Sequence, residues 1–145
     1  MRSEGFTFVE LIVVLVILAA LTALVAPSFT RTVASARLRS AASDVRTSLA
    51  RGRALAVAAA KERTVAFDLS RGEFGVDNEA VRLLPETIRL GAVLPGAERQ
   101  ERGSVRVRFF PDGSGDEAEI SVTAEDGGTL RVTVDPLTGL SEAGT

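Results

Sequence analysis

The chain has 145 residues, with 17 Lys and Arg against 19 Asp and Glu for a formal charge of −2, and it contains no Cys, His, Trp or Tyr. Without Cys there is neither a disulfide framework nor a thiolate metal site, and without His the commonest general base and metal ligand is missing. That composition argues against an enzyme, points to no cofactor and no metal, and leaves Phe as the sole aromatic platform for stacking bases.

The first stretch, Gly5-Phe6-Thr7-Phe8-Val9-Glu10, runs directly into the apolar residues from Leu11 to Leu18. From Phe6 to Ala26 the polar residues are Thr7, Glu10 and Thr22 alone. At about 1.5 Å per residue this segment makes some 31 Å of helix, enough to span a bilayer. A carboxylate in hydrocarbon is penalised by a few kcal/mol or more, so Glu10 requires a partner or a task. A cut between Gly5 and Phe6 would supply one, because the new α-amino group is a cation four residues upstream of Glu10. An ordinary secretory signal fits poorly: Arg2 is offset by Glu4, and cuts after Ala20, Ala23 or Ala26 would leave Leu18, Leu21 or Leu24 where a small residue is wanted. Pro27 closes the apolar run and predicts a helix kink there.

Beyond Pro27 the apolar residues Ala34, Leu38, Ala41, Ala42, Val45, Leu49, Ala56 and Ala59 recur at helical spacing, with arginines mostly between them. The spacing predicts an amphipathic helix over 28–62 whose narrow, alanine-rich side suits close packing on a sheet. Gly52 interrupts it at about 1 kcal/mol relative to alanine. Between Ser28 and Arg63 eight cations face two acids, and from Thr64 onward eight arginines face fifteen acids. The stalk is therefore basic and the head, at −7, acidic, an asymmetry that can order neighbouring subunits or simply solvate one helix face.

The remainder, 63–145, changes to a period of two. Val65-Phe67-Leu69 and Phe74-Val76 read as a hairpin about Ser70-Arg71-Gly72, and Val81 to Leu84 and Thr87 to Leu94 as strands parted by Pro85. Pro95 to Gly103 reads as a mobile polar loop and a candidate contact surface. Three clearer strands follow, Val105-Val107-Phe109, Ile120-Val122-Ala124 and Leu130-Val132-Val134, separated by turn sequences. Asp112-x-Ser114-x-Asp116 is the nearest oxygen-ligand cluster, but it lacks the twelve-residue calcium-loop pattern and reads as a solvated turn.

The N-terminus resembles that of type IV pilins and of the pseudopilins of type II secretion systems, on Gly5, Phe6, Glu10, the apolar run and Pro27. The resemblance implies a leader, residues 1–5, removed by a prepilin peptidase between Gly5 and Phe6, and N-methylation of Phe6 by an N-methyltransferase. It implies that Glu10 pairs with the Phe6 ammonium of an adjacent subunit during filament assembly. Glu4 departs from the usual basic leader. Two stretches, Phe109-Phe110-Pro111-Asp112-Gly113-Ser114-Gly115 and Val132-Thr133-Val134-Asp135-Pro136-Leu137-Thr138-Gly139, are similar to recurrent patterns of the GspH/FimT branch.

The expected fold is therefore α+β and pilin-like. A long N-terminal α-helix, transmembrane over 6–27 and amphipathic over 28–62, packs on an antiparallel β-sandwich or sheet head at 63–145. The expected role is a non-enzymatic minor pseudopilin of a type II secretion pseudopilus, at its tip or in its assembly, with a FimT-like minor type IV pilin in pilus assembly or DNA uptake as the alternative. The implied partners are other pseudopilins or pilins through the helix, the processing enzymes, the inner membrane and secreted cargo. The implied location is the inner membrane, single-pass, with the head on the periplasmic side. Nucleic acid is disfavoured by the acidic head and by the absence of cations in Leu140-Ser141-Glu142-Ala143-Gly144-Thr145.

Overall fold

The computed structural model describes residues 7–77 and 79–144, with the side chains of 23–31 outside the description. A helix, α1 (Phe8–Ala59), precedes eight strands: β1 (Arg63–Asp68), β2 (Glu73–Val76), β3 (Arg82–Leu83), β4 (Ile88–Val93), β5 (Ser104–Phe109), β6 (Ala118–Ala124), β7 (Thr129–Val134) and β8 (Ser141–Gly144). The chain forms two compact units, Met1–Ala34 and Ser35–Thr145.

In the second unit the strands make two antiparallel four-stranded sheets, β3-β2-β1-β5 and β4-β6-β7-β8. Alternation fixes which face is buried. Val65 and Phe67 of β1 face the core beside Val105, Val107 and Phe109 of β5, while Arg106 and Arg108 face water. In the other sheet Leu90, Ile120, Val122 and Val132 face the core. The helical residues Leu38, Ala41, Ala42, Val45, Leu49 and Ala56 join both sheets in one buried cluster, so the predicted apolar side is the side that packs. Ala59, counted in the same pattern, is exposed.

Gly52 has a purpose its sequence context does not reveal. A Cβ there would lie 2.6 Å from Val65 Cγ2 and 3.2 Å from Phe109 Cδ2, so its hydrogen is what lets α1 approach the β1–β5 face. The helix ends three residues before the position the charge and spacing suggest. Ala60 takes a left-handed φ of 49°, Lys61 N–H donates to Ala56 C=O at 3.2 Å and Ala60 N–H to Val57 C=O at 3.3 Å. That is a Schellman cap built on alanine where glycine is usual.

Two further expectations change. The Pro95–Gly103 segment is tied down: Ala92 and Gln100 exchange two backbone hydrogen bonds of 2.8 Å, and Arg99 donates to Ser121 Oγ at 3.0 Å. The last residues form β8, which pairs with β7 from Val134↔Ser141 to Arg131↔Gly144.

Candidate functional site

The first unit carries the predicted assembly segment. Thr7 precedes α1, and its hydroxyl accepts a hydrogen bond from Glu10 N–H at 3.3 Å while its carbonyl accepts from Leu11 N–H at 3.2 Å. Thr7 is thus the N-cap, and Thr7-Phe8-Val9-Glu10 has the spacing of a capping box, with the Glu10 carboxylate in the first turn where the helix dipole favours an anion. Sequence reasoning weighed Glu10 as a misplaced charge and missed this local reason for it. The signal was available in the Thr-x-x-Glu spacing.

From Leu11 to Leu18 every side chain is 45 to 62% exposed, so the apolar surface goes all the way round the helix. Such a surface demands a cover of lipid or other helices. Thr22, the next polar residue after Glu10, satisfies its hydroxyl internally on Leu18 C=O at 3.0 Å and Ala19 C=O at 2.9 Å. Among the described residues no helix is long and apolar enough to cross a membrane, and these residues cover only part of the expected 6–27 span. The side chains described there run from Thr7 to Thr22, about 22 Å of helix from Phe8, and the rest of the expected span lies outside them. Gly5 and Phe6, the expected cleavage and methylation positions, lie outside the described residues. α1 runs through Pro27 without interruption.

In the second unit the two branch-like stretches meet. Asp112 accepts hydrogen bonds from Ser114 N–H at 3.0 Å and from its hydroxyl at 2.6 Å, and Gly113 closes the turn at φ 87° with its N–H on Phe110 C=O. Asp135 accepts from Leu137 N–H at 3.0 Å, Thr138 N–H at 2.8 Å and the Thr138 hydroxyl at 3.0 Å. Gly115 N–H then donates to Pro136 C=O, and Arg53 of α1 donates from Nε to Gly113 C=O at 2.9 Å and Thr138 C=O at 2.7 Å. Gly139 is obligatory at this junction, because a Cβ would sit 2.3 Å from the Gly113 oxygen. Both turns are therefore one device that locks the helix to the sheets.

Donors to the anionic form hold both turn carboxyls below the ordinary aspartate range: the Ser114 hydroxyl and N–H for Asp112, and the Thr138 N–H and hydroxyl for Asp135. At Asp116 burial pushes the other way, but hydrogen bonds from Arg108 at 2.9 and 3.1 Å outweigh it and leave this carboxyl lowered too. Asp112 and Asp116 thus serve separate partners and do not converge as ligands.

The basic stalk divides by function. Arg51 holds Glu79 in a forked pair, with the second contact at 2.8 Å, and Asp44 receives Arg82 at 2.8 Å, both tying α1 to the β2–β3 side. The Arg51 pairing lowers the Glu79 carboxyl. Arg37, Arg39 and Arg46 face outward from the helix.

Residues 1–26 match the prokaryotic N-terminal methylation motif. No curated protein matches the chain in sequence. Two solved structures of the minor pseudopilin EpsH from the type 2 secretion system of Vibrio cholerae share the fold. One aligns with a TM-score of 0.63 at 13% identity over 74% of this chain and 94% of EpsH, the other with 0.62 at 14% over 74% and 92%. The chain thus joins a match to the N-terminal methylation motif over residues 1–26 to a helix and two sheets that share the pilin-like fold of EpsH.

Proposed function

We propose that the chain is a minor pseudopilin of a type II secretion system, of the GspH kind, which acts as a non-enzymatic subunit of the pseudopilus. The observation that carries this reading is the helix from Leu11 to Leu18, apolar and exposed on all faces, entered through the methylation motif. In the resting subunit that helix, completed to 6–27, anchors the protein in the inner membrane with the head on the periplasmic side, and Pro27 bends it at the exit. Cleavage between Gly5 and Phe6 and methylation of Phe6 prepare the N-terminus. On assembly the apolar surface leaves lipid for neighbouring pseudopilin helices, and Glu10 meets the Phe6 ammonium of an adjacent subunit. A buried ion pair adds little stability but selects one axial register.

The Thr7 cap sets up a sharp test, since Glu10 serves both as an N3 residue and as a charge. Glu10→Gln keeps the capping geometry and removes the charge, whereas Glu10→Ala removes both. Cross-linking into filaments in cells with the other subunits is expected to fail for both variants, with membrane insertion intact. Wild-type incorporation of Glu10→Gln would show that capping alone is required and would remove the pairing. Intact mass of the extracted protein is expected to show loss of five residues and gain of one methyl group; a chain still beginning at Met1 would overturn the processing.

A further inference from the structure

The two edges of the β4-β6-β7-β8 sheet differ in cover. β4 is shielded on its outer side, because Ala92 bridges to Gln100 and Ile88, Leu90 and Ala92 are all buried. β8 pairs with β7 alone, and its Glu142, Ala143 and Gly144 are exposed. Asp135 N–H donates to Leu140 C=O at 2.9 Å, which fixes the alternation along the β7–β8 ladder. Glu142 and Gly144 therefore turn their backbone groups to β7, while Ser141 and Ala143 turn theirs outward. Among the described residues no group meets the backbone N–H or C=O of Ser141 or Ala143.

The helix α1 runs beside this edge and lines it with cations. A Cβ on Gly128, just before β7, would lie 3.2 Å from Leu38 Cδ2, and Arg53 reaches Thr138 C=O, beyond the end of β7, at 2.7 Å. β7 therefore follows the helix, and β8 returns from Arg46, whose C=O accepts from Ser141 Oγ at 3.4 Å, towards Arg39. Arg39 and Arg46 share one helix face about 10 Å apart, which is the length of β8. Both are exposed, and neither belongs to an ion pair among the described residues. Ser141 and Ala143 lie opposite the buried Val134 and Val132, so their side chains take the helix-facing side of the sheet. A strand laid against β8 would likewise present alternate side chains to α1.

We propose that β8 takes an extended acidic segment of another polypeptide, added as a further strand through the Ser141 and Ala143 backbone, with its helix-facing acids against Arg39 and Arg46. Main-chain hydrogen bonds hold such a segment and alternate side chains select it. Glu142 selects against a second copy of this chain. In the antiparallel register that sets Ser141 opposite Ala143 of a second copy, Glu142 meets its own counterpart, and like charges directly opposite are destabilising. The open ladder selects a polypeptide over nucleic acid, which would offer phosphates to the arginines and nothing to the backbone. The site is independent of the pseudopilin reading, because it lies wholly in the unit that begins at Ser35, where Glu10 variants are silent.

The probe is a short labelled peptide in which glutamate alternates with threonine, titrated by fluorescence anisotropy against the full chain in non-ionic detergent micelles over a salt series. Saturable binding that weakens with salt is expected, with a glutamine–threonine peptide binding more weakly. Amide exchange at Ser141 and Ala143 is expected to slow on binding. Ala143→Pro removes an outward N–H, a change an edge strand tolerates, and it is expected to abolish binding. Arg39→Glu with Arg46→Glu is expected to weaken it about tenfold. Unchanged affinity in folded Ala143→Pro, unchanged exchange at Ser141 and Ala143, or tighter binding of an equally charged single-stranded oligonucleotide would each overturn the proposal, as would a dimer that Ala143→Pro dissolves. Should Ala143→Pro fail to fold, the exchange data and the double charge reversal decide.

Discussion

Single residues decide how closely this helix and its sheets can fit. A methyl group at position 52 would gain about 1 kcal/mol of helix propensity, but it would press on Val65 and Phe109, both fully buried and unable to yield. Overpacking of this kind costs about 1–3 kcal/mol, so the clash wins. Gly52→Ala is expected to lower the denaturation midpoint; an equal or higher midpoint would show that the helix can step back. Ala60 presents the opposite case. Its left-handed φ costs an alanine about 1–2 kcal/mol, and glycine avoids that cost at an unfolded-state penalty of about 0.5–1 kcal/mol. Ala60→Gly is expected to stabilise the head by about 0.5–1 kcal/mol in urea titrations, and destabilisation would mean that the cap is not limiting. Glycine is thus needed where the sequence suggests a helix fault and absent where a cap calls for it.

Elements were legible in the sequence where periodicity spoke and obscure where long-range partners did. β1, β5, β6 and β7 alternate apolar and polar residues with β-branched side chains, and their burial follows that alternation except at Ser121 of β6, which is polar and buried. β8 does not: Ser141-Glu142-Ala143-Gly144 has no apolar face and is a strand because β7 offers it an edge. The Pro-Asp-Gly and Asp-Pro-Leu-Thr-Gly turns were legible as turns, but their meeting over Arg53 joins residues 60 and 85 positions apart, which local spacing cannot encode. This junction is acid-sensitive in a definite direction. The folded Asp135 carboxyl is held below the unfolded value of about 3.9 by Thr138 and Leu137, so its contribution is present above that value and is lost as pH falls through the folded one. Asp135→Asn is expected to be less stable than wild type at neutral pH, with the difference closing below about pH 4. A difference that persists unchanged to pH 3 would mean that the loop is held by geometry and not by the carboxylate.

At the scale of the molecule the chain separates two kinds of cohesion. Every residue of the buried cluster, from Leu38 to Val134, belongs to the unit that begins at Ser35, so the head's folding energy is internal to that unit. The preceding helix offers instead a run of half-exposed Val, Leu and Ile side chains. Full burial of each is worth about 1.5–3 kcal/mol relative to exposure, so covering this surface is worth on the order of 10 kcal/mol, available only from lipid, detergent or other helices. Folding and assembly should therefore be separable by truncation. Residues 35–145 alone are expected to be monomeric in detergent-free buffer, with a cooperative thermal transition within a few degrees of the full chain in micelles, whereas the full chain is expected to self-associate or partition into detergent. Sedimentation and calorimetry on the two proteins check this. If the truncated protein unfolds much earlier, the first unit supports the head; if the full chain sediments as a monomer without detergent, the apolar helix has found its cover within the molecule and is not the assembly surface.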